Sequence, residues 1–270
     1  MIVATDLPAL TPEEQAHSER LEQRVREEIA RAGGWISFSS YMQMALYEPG
    51  LGYYSAGASK LGAAGDFVTA PEVAPVFSRC LARQCEEVLR TLGGGDVLEV
   101  GAGSGVMAVA MLEELERRDA LPARYRILDV SADLRERQQA TLAAAVPRLL
   151  ERVEWLDRWP EDFTGVVIAN ELLDAMPVEG FVMRGGSVNA LGVTWHLGRL
   201  EWSETRASAA LAEAVHAVVS DTGAAWPESY TSEINLGLAG WIAALAATLE
   251  RGVLLFVDYG LPRPEFYAPE

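Results

Sequence analysis

Cysteine and histidine, the usual side chains of disulfides and zinc sites, are scarce in this sequence of 270 residues. The two cysteines, Cys80 and Cys85, cannot form a disulfide framework. Their spacing on a predicted amphipathic helix favours two buried thiols over a metal-binding pair. The three histidines, His17, His196 and His216, do not cluster with either cysteine. We therefore expect no metal site.

Long apolar runs are also missing, although half of the residues are hydrophobic and can form a full core. No run reaches the ~18 residues that a membrane span requires. The N-terminus lacks the basic region and the apolar region of a secretory signal. We therefore expect no membrane partner and predict a cytoplasmic location.

Basic residues are few compared with acidic ones. Twenty-two lysines and arginines stand against 39 aspartates and glutamates, which gives a formal net charge of −17. Such a charge repels nucleic-acid phosphates and anionic membranes, and it favours a basic protein or peptide as partner. The same acidity could serve solubility alone, and the composition does not separate the two interpretations.

After residue 95 the sequence alternates between short apolar strands and helical segments. The five predicted strands are 97–100, 125–130, 153–156, 165–169 and 253–257. Strands that alternate with helices pair in parallel, so the pattern predicts an α/β sheet. Between the fourth and fifth strands, glycine turns separate three short segments that predict an inserted antiparallel β region followed by two helices. Three helices are predicted before residue 95.

The first predicted strand leads into the glycine-rich segment Glu99-Val-Gly-Ala-Gly-Ser-Gly105. Glycines at such a turn let the backbone approach a ligand and leave helix N–H groups free. The negative charge of Glu99 would repel a pyrophosphate, but it would attract the ammonium group of an amino acid. Asp129, after the second strand, can accept both hydroxyls of a ribose. A nucleoside cofactor is the preferred interpretation, although Glu99 could instead pair with a neighbouring strand and Asp129 could be a solvated strand end.

Polar and acidic residues also follow the fourth strand, in the segment Asn170-Glu-Leu-Leu-Asp-Ala-Met-Pro177. Ligands of open α/β sheets bind outside the carboxyl ends of the strands. This segment therefore belongs to the predicted site. A nicotinamide- or flavin-dependent oxidoreductase could use a similar glycine turn, but the G-x-G-x-G spacing and Glu99 argue against it.

These motifs occur in the order found in the MidA family of methyltransferases, and the sequence resembles that family over residues 20–260. The segments that carry the resemblance are Tyr47-Glu-Pro-Gly-Leu-Gly-Tyr-Tyr54, Gly65-Asp-Phe-Val-Thr-Ala-Pro-Glu72, the glycine segment, Leu128-Asp-Val-Ser131, the segment after the fourth strand and Asp258-Tyr-Gly260. The resemblance implies a Rossmann-like class I methyltransferase sheet and S-adenosyl-L-methionine as cofactor. The expected cofactor-binding residues are Glu99, Gly101, Gly103, Gly105, Asp129, Trp155, Asn170, Gly65, Asp66 and Thr69.

The resemblance also suggests a division of the chain. We predict an N-terminal helical cap with an active-site loop at 1–94, a cofactor-binding core at 95–178 plus 250–270, and an inserted substrate-side segment at 179–249. The family continues for about a hundred residues beyond the length of this chain and completes its sheet with an antiparallel hairpin. No such hairpin is visible in the sequence, so the fifth strand is expected to be an unpaired edge through which a homodimer could form.

The mitochondrial members of the family resemble protein-arginine methyltransferases and assist assembly of respiratory complex I. The resemblance therefore implies an arginine acceptor on a basic protein client, such as a respiratory-complex subunit. Carboxylates bind guanidinium groups well, and the candidates are Glu171, Asp174 and Glu233. Asp174 could instead cap a helix starting at Pro177, and Glu233 could be a helix N-terminal charge.

Two further alternatives stay open. Trp155 either flanks the adenine or is an ordinary core tryptophan. The whole protein could be a non-catalytic assembly factor that binds a client and uses the cofactor fold only as a scaffold.

Overall fold

The computed structural model describes residues 10–55, 69–223 and 225–269. These residues form two compact units. One comprises 69–176 and 237–262 and is called here the sheet unit; the other comprises 10–55, 177–236 and 263–269 and is called the antiparallel unit. Among the described residues, no helix is both long and apolar enough to cross a membrane.

Helices and strands alternate along most of the chain. The helices are α1 (Pro12–Arg31), α2 (Phe38–Tyr47), α3 (Ala70–Val73), α4 (Pro75–Leu92), α5 (Val106–Arg117), α6 (Ala132–Ala145), α7 (Ala209–Thr222), α8 (Leu238–Thr248) and α9 (Arg263–Phe266). The strands are β1 (Ile36–Ser37), β2 (Asp96–Val100), β3 (Tyr125–Leu128), β4 (Val153–Leu156), β5 (Phe163–Asn170), β6 (Glu179–Arg184), β7 (Ser187–His196), β8 (Arg199–Arg206), β9 (Thr231–Ile234) and β10 (Leu249–Val257).

The sheet unit contains five strands in the order β10-β5-β2-β3-β4, and all four pairings are parallel. This is the α/β sheet that the alternation of strands and helices predicts, so the predicted fold class is confirmed. The central strands β2 and β5 are mostly apolar on both faces because helices cover both. Leu81, Leu89 and Met111 of α4 and α5 pack on one face, and Leu245 of α8 packs on the other.

Helix α4 differs from its prediction in the face that it buries. The sequence pattern predicted a buried thiol at Cys80, but Cys80 is exposed. The buried face instead contains Leu81, Cys85 and Leu89, which are spaced one helical turn apart. The expectation of two buried thiols was therefore wrong for Cys80 and is confirmed for Cys85.

The antiparallel unit contains the predicted inserted strands, now β6, β7 and β8, together with β1 and β9. Strand β7 pairs with β1, β6 and β8, and β9 pairs with β6. Helix α7 packs Leu211, Val215 and Val218 against Phe181 of β6. Helix α1 begins with a capping box, in which the Thr11 and Glu14 side chains each accept a hydrogen bond from the other residue's backbone N–H.

The two units follow different boundaries from the predicted three parts. Helix α4 belongs to the sheet unit because its apolar face is buried against α5 and the sheet. Helix α8 belongs there as well, since Leu245 and Trp241 pack beside β5 and β10. The described residues before 56 lie in the antiparallel unit together with β6 to β9.

Candidate functional site

The glycine segment forms the turn between β2 and α5. Gly101, Gly103 and Gly105 have φ angles of +70°, +54° and +87°, a conformation that side-chain-bearing residues rarely adopt. A Cβ atom on Gly101 would lie 2.8 Å from Cδ1 of Leu172. The turn therefore requires glycine for its backbone conformation, and at Gly101 the absence of a side chain leaves room for the Leu172 side chain.

Glu99 lies on β2 with only 1% of its surface exposed, on the face packed against α4 and α5. Its Oε2 accepts a hydrogen bond from the hydroxyl of the buried Tyr125 at 2.5 Å, and its Oε1 has no partner among the described residues. Burial raises the pKa of Glu99 to about 7, and the nearby Asp129 adds to the effect. An unpartnered buried carboxylate oxygen is costly unless a ligand satisfies it, and an ammonium group fits that requirement.

Asp129 follows β3 and is held at both carboxylate oxygens. Oδ1 accepts from the backbone N–H of Ser131 at 3.0 Å, and Oδ2 accepts from Nε2 of Gln138 at 2.8 Å. Burial raises the pKa of Asp129, while these hydrogen bonds act in the opposite direction. The backbone of Val130 also contributes a hydrogen bond that lowers the pKa of this carboxylate. A carboxylate can accept about four hydrogen bonds, so Asp129 retains acceptor capacity for a ligand. A ribose hydroxyl is a donor that fits this capacity.

Trp155 lies on β4 and is half-buried against the core of the sheet unit. Its indole Nε1 donates to Oε1 of Gln138 at 3.1 Å. Gln138 also donates from Nε2 to the carbonyl oxygen of Gly103 at 3.1 Å. Gln138 was not selected from the sequence, because a glutamine in a polar helix is typical of an exposed surface.

Of the predicted loop residues, Gly65 and Asp66 lie outside the described residues. Thr69 is described and precedes α3, where its carbonyl oxygen accepts from the backbone N–H of Glu72 at 2.9 Å. The Glu72 side chain accepts a hydrogen bond from the hydroxyl of Ser104 in the glycine segment. The described end of the loop therefore contacts the glycine segment. Glu72 and Ser104 were not selected from the sequence, although both lie in motifs shared with the MidA family.

Asn170 is the last residue of β5, and Glu171 follows it directly. Glu171 has a left-handed backbone with φ of +48°, and its N–H donates to the carbonyl oxygen of Val257 at 2.8 Å. Nδ2 of Asn170 lies 3.5 Å from Oε1 of Glu171. Leu172, the next residue, reaches Gly101 as described above. The structure thus brings the segment after β5 next to the glycine segment.

Asp174 is exposed and accepts a hydrogen bond from the hydroxyl of Tyr259. No helix begins at Pro177; the chain continues into β6, so the helix-capping alternative for Asp174 was wrong. Asp258, after β10, accepts from the backbone N–H groups of Leu173 at 2.9 Å and Asp174 at 3.3 Å. The hydrogen bond to Asp174 is the main reason that the pKa of Tyr259 rises to about 12. Asp258 and Tyr259 were missed as site residues, although they belong to a motif of the resemblance.

Glu233 lies in the antiparallel unit, not in the unit of Glu171 and Asp174. It is exposed on β9, where it pairs with Gly180. Its carbonyl oxygen accepts from the hydroxyl of Tyr267 at 3.0 Å. The alternative of a charge at a helix N-terminus was therefore wrong, since a polar strand occupies this position and α8 begins only at Leu238.

The sheet unit therefore gathers three elements of a nucleoside site at the carboxyl ends of its strands. These are a glycine-rich backbone turn, a buried carboxylate with an unpartnered oxygen, and a second buried carboxylate held by neighbouring hydrogen bonds. A group of acidic side chains (Glu171, Asp174 and Asp258) follows β5 and β10. Such a set fits a ligand with an ammonium group and a ribose next to a cationic substrate.

Comparisons with known proteins agree with this geometry. A family model described as "Putative S-adenosyl-L-methionine-dependent methyltransferase" matches residues 80–269. A crystal structure of a Burkholderia thailandensis protein bound to S-adenosyl-homocysteine is 40% identical, with a TM-score of 0.90, covering 98% of this chain and 68% of that one. A second structure of a Burkholderia thailandensis protein is 39% identical with a TM-score of 0.87, covering 98% and 67% of the two chains.

Curated relatives are more distant. The mitochondrial protein arginine methyltransferase NDUFAF7 homologue of Drosophila melanogaster is 25% identical over 89% of this chain. The homologue of Caenorhabditis elegans is 26% identical over 60% of this chain. The matches cover 60% and 43% of those two proteins, so the chain spans about half the length of its curated relatives. With the family model and the two crystal structures, these findings show that the chain belongs to the MidA family of S-adenosylmethionine-dependent methyltransferases, with S-adenosylmethionine as its cofactor.

Proposed function

We propose that this chain methylates an arginine side chain of a basic protein. When bound, S-adenosylmethionine supplies an electrophilic methyl group on a positively charged sulfur. The enzyme must then hold the acceptor nitrogen in line with that group and handle one proton. The names of the curated relatives, which are protein arginine methyltransferases, support arginine as the acceptor.

The residues around the glycine segment would hold the cofactor. In this proposal Oε1 of Glu99 binds the ammonium group and Asp129 binds the ribose hydroxyls. Gly101, Gly103 and Gly105 present backbone rather than side chains to the ligand. Trp155 flanks the adenine. Asn170 and the loop residues Gly65, Asp66 and Thr69 complete the predicted set.

The contact between Leu172 and Gly101 is the observation that supports the acceptor site best. It joins the acidic segment after β5 to the segment proposed to hold the cofactor. Glu171 immediately precedes Leu172, so its carboxylate starts from a backbone position beside the glycine segment. A carboxylate there can orient a guanidinium by paired hydrogen bonds and offset its charge.

The other acidic side chains would assist Glu171. The hydrogen bond from Tyr259 leaves Asp174 with free acceptor positions, and Asp258 holds the backbone of the same segment. Glu233 is the third candidate from the sequence and would have to act from the antiparallel unit. These carboxylates would hold the guanidinium with one nitrogen facing the methyl group that S-adenosylmethionine would supply, and a carboxylate or water would accept the proton that this nitrogen loses.

The experiment compares Glu171→Gln with Glu161→Gln, which changes an exposed glutamate of the same unit. Transfer of tritiated methyl groups to lysate proteins is measured together with S-adenosylhomocysteine affinity by calorimetry. We expect Glu171→Gln to reduce transfer by ~100-fold or more and to leave the affinity within a few-fold, because the lost interaction is one with the acceptor. Glu161→Gln should change neither.

Three outcomes would contradict parts of the proposal. Methyl groups found by mass spectrometry on lysine, glutamine or a carboxylate would reject arginine as the acceptor. Loss of cofactor binding in Glu171→Gln would assign Glu171 to the cofactor. An absence of transfer by a wild-type chain that binds the cofactor would favour the non-catalytic assembly factor.

The partner and the location are also proposals. The net charge of −17 supports a basic protein client, and its complex with the chain should weaken as salt rises. A respiratory-complex subunit is one such client. A homodimer and a cytoplasmic location stay predictions, whereas the curated relatives named above are mitochondrial.

A further inference from the structure

Gln138 is a buried polar residue in a helix that is otherwise mostly exposed. Helix α6 buries only two of its side chains, Gln138 and Leu142, which are one turn apart. Gln138 is 0% exposed, whereas its neighbour Gln139 is exposed. A buried amide must find hydrogen-bond partners to offset its desolvation. The partners of Gln138 are therefore informative.

All three partners of the Gln138 amide are residues or segments of the predicted cofactor site. Nε2 donates to the carbonyl oxygen of Gly103 at 3.1 Å and to Oδ2 of Asp129 at 2.8 Å. Oε1 accepts from Nε1 of Trp155 at 3.1 Å. A carbonyl and a carboxylate can only accept, and an indole N–H can only donate. The amide thus has one orientation that satisfies all three partners.

These bonds connect the ends of three neighbouring strands. Gly103 follows β2, Asp129 follows β3 and Trp155 lies on β4. Helix α6 can approach the turn closely because Gly105 has no side chain: a Cβ there would lie 3.1 Å from Cα of Gln138. One planar group therefore fixes the relative positions of a backbone turn, a carboxylate and an aromatic ring.

We infer that Gln138 is a positioning residue that aligns Asp129 and Trp155 with the glycine segment before the cofactor binds. The inference rests on the proposed function, which assigns these groups to the ribose and the adenine. Without the amide, the Asp129 carboxylate would keep only its hydrogen bonds to backbone N–H groups, and the Trp155 indole would lose its polar partner. The nucleoside would then have to order more of its site on binding. Ordering side chains on binding lowers affinity.

The first test measures binding of adenosine and S-adenosylhomocysteine by calorimetry to Gln138→Met and to the matched surface variant Gln139→Met. Methionine keeps the length of the side chain but cannot donate to the Asp129 carboxylate. We expect both ligands to bind ~10- to 50-fold more weakly to Gln138→Met, because both contain the nucleoside. Gln139→Met should bind as the wild type does. Wild-type affinity in a folded Gln138→Met would overturn the inference.

A second variant, Gln138→Glu, retains the shape and the acceptor for Trp155 but places a carboxylate against Asp129. Two carboxylates in contact share a proton, so one of them is neutral until the pH rises. The other charged side chains that act on Asp129 or Glu99 here are Arg135 and those two carboxylates themselves. We expect adenosine affinity in this variant to fall ~10-fold more than in Gln138→Met as the pH rises from 6 to 8. A role in folding alone would produce no such difference, and equal pH profiles would overturn the inference.

A double-mutant cycle shows whether Gln138 acts through Asp129. If it does, the double variant should bind adenosine less than ~3-fold more weakly than Asp129→Asn alone. Additive losses would overturn the inference. Since these measurements need no acceptor, a failure of the arginine assignment would leave them unaffected. A wild-type chain that binds neither ligand would overturn both proposals.

Discussion

Two regions of the sheet unit bury carboxylates in opposite ways. Between α4 and α5, Glu86 and Glu114 are 6% and 3% exposed, and each is paired with arginines. On β2, Glu99 is 1% exposed and has a tyrosine hydroxyl as its partner, with one oxygen left over. The first region is electrostatically complete, whereas the second lacks a positive charge.

The pKa values follow this difference. Hydrogen bonds from Arg118 and Arg117 lower the pKa values of Glu86 and Glu114, respectively. Burial without a cation raises that of Glu99 to about 7. Paired buried charges are typical of structure, while an incomplete buried charge is a common feature of binding sites. The contrast supports the proposal that Glu99 binds a ligand and that the helix pair contributes to stability.

The largest expected effect is a loss of cofactor affinity from a substitution in the glycine segment beside Glu99. Gly101→Val places side-chain atoms against Leu172 and strains a left-handed backbone. We expect S-adenosylhomocysteine affinity to fall by at least ~1000-fold, about 4 kcal/mol. Gly240→Ala in α8, where a Cβ meets nothing within 4 Å, is the control. Calorimetry on both folded variants checks this, and near-normal binding by Gly101→Val would remove the turn from the site.

The next effect concerns stability without ligand. In the folded state the pKa of Glu99 is about 7, against an ordinary value of 4.5. As pH rises from 4.5 to 7, the unfolded chain releases this proton before the folded chain does, so stability falls. The wild type should lose up to ~3 kcal/mol of unfolding free energy relative to Glu99→Gln over this range. Urea unfolding of both proteins at several pH values measures it. A constant difference would show that Glu99 ionises normally.

A smaller effect is expected on affinity. If the Glu99 carboxylate binds an ammonium group, Glu99→Gln should bind S-adenosylhomocysteine ~10-fold more weakly at pH 8. Wild-type affinity should increase between pH 6 and pH 8 as the carboxylate forms, and the variant should lack this increase. Glu87→Gln, an exposed change on α4, is the control. Parallel pH profiles of wild type and Glu99→Gln would contradict the assignment.

The smallest effect tests the paired region. Glu114→Gln removes the charge that Arg83 and Arg117 share. Because the pKa of Glu114 is lowered, its stabilising contribution exists above pH 4.5 and disappears as the pH falls through the lowered value. We expect a modest fall in the thermal midpoint at pH 7, a difference that disappears at pH values below the lowered pKa of Glu114, and unchanged cofactor affinity. A change in affinity would mean that the two regions are not independent.

The sequence was sufficient for the features that depend on local pattern. The strand–helix alternation predicted the parallel sheet, and the glycine turns predicted the inserted antiparallel strands. The buried face of α4 was misassigned because the helix could rotate about its axis and still bury apolar residues. Only its packing against α5 determines which of these residues are buried. Strand β9 was missed because Thr231–Ile234 is short and mostly polar, and its pairing with β6 forms it.

The sequence predicted only part of the site, because the remaining contacts depend on how helices and strands pack. Glu99 and Asp129 follow from their positions beside a glycine turn and a strand end. Gln138 and Gln139 are the same residue type in the same helix, so the sequence does not show which of them is buried. Successive residues lie about 100° apart around the helix axis, and in the folded chain Gln138 faces the core while Gln139 faces solvent. The partnership of Tyr125 with Glu99 joins residues 26 apart, and it depends on the pairing of β2 with β3.

The left-handed backbone of Glu171 has a consequence for protein engineering. A residue with a side chain at φ of +48° costs roughly 1 kcal/mol or more relative to glycine. Selection for heat resistance alone would therefore favour glycine at position 171, and a thermostable Glu171→Gly chain would be easy to obtain. If Glu171 holds the acceptor, that chain would be a stable protein without methyl transfer, and the natural glutamate is a compromise between durability and chemistry.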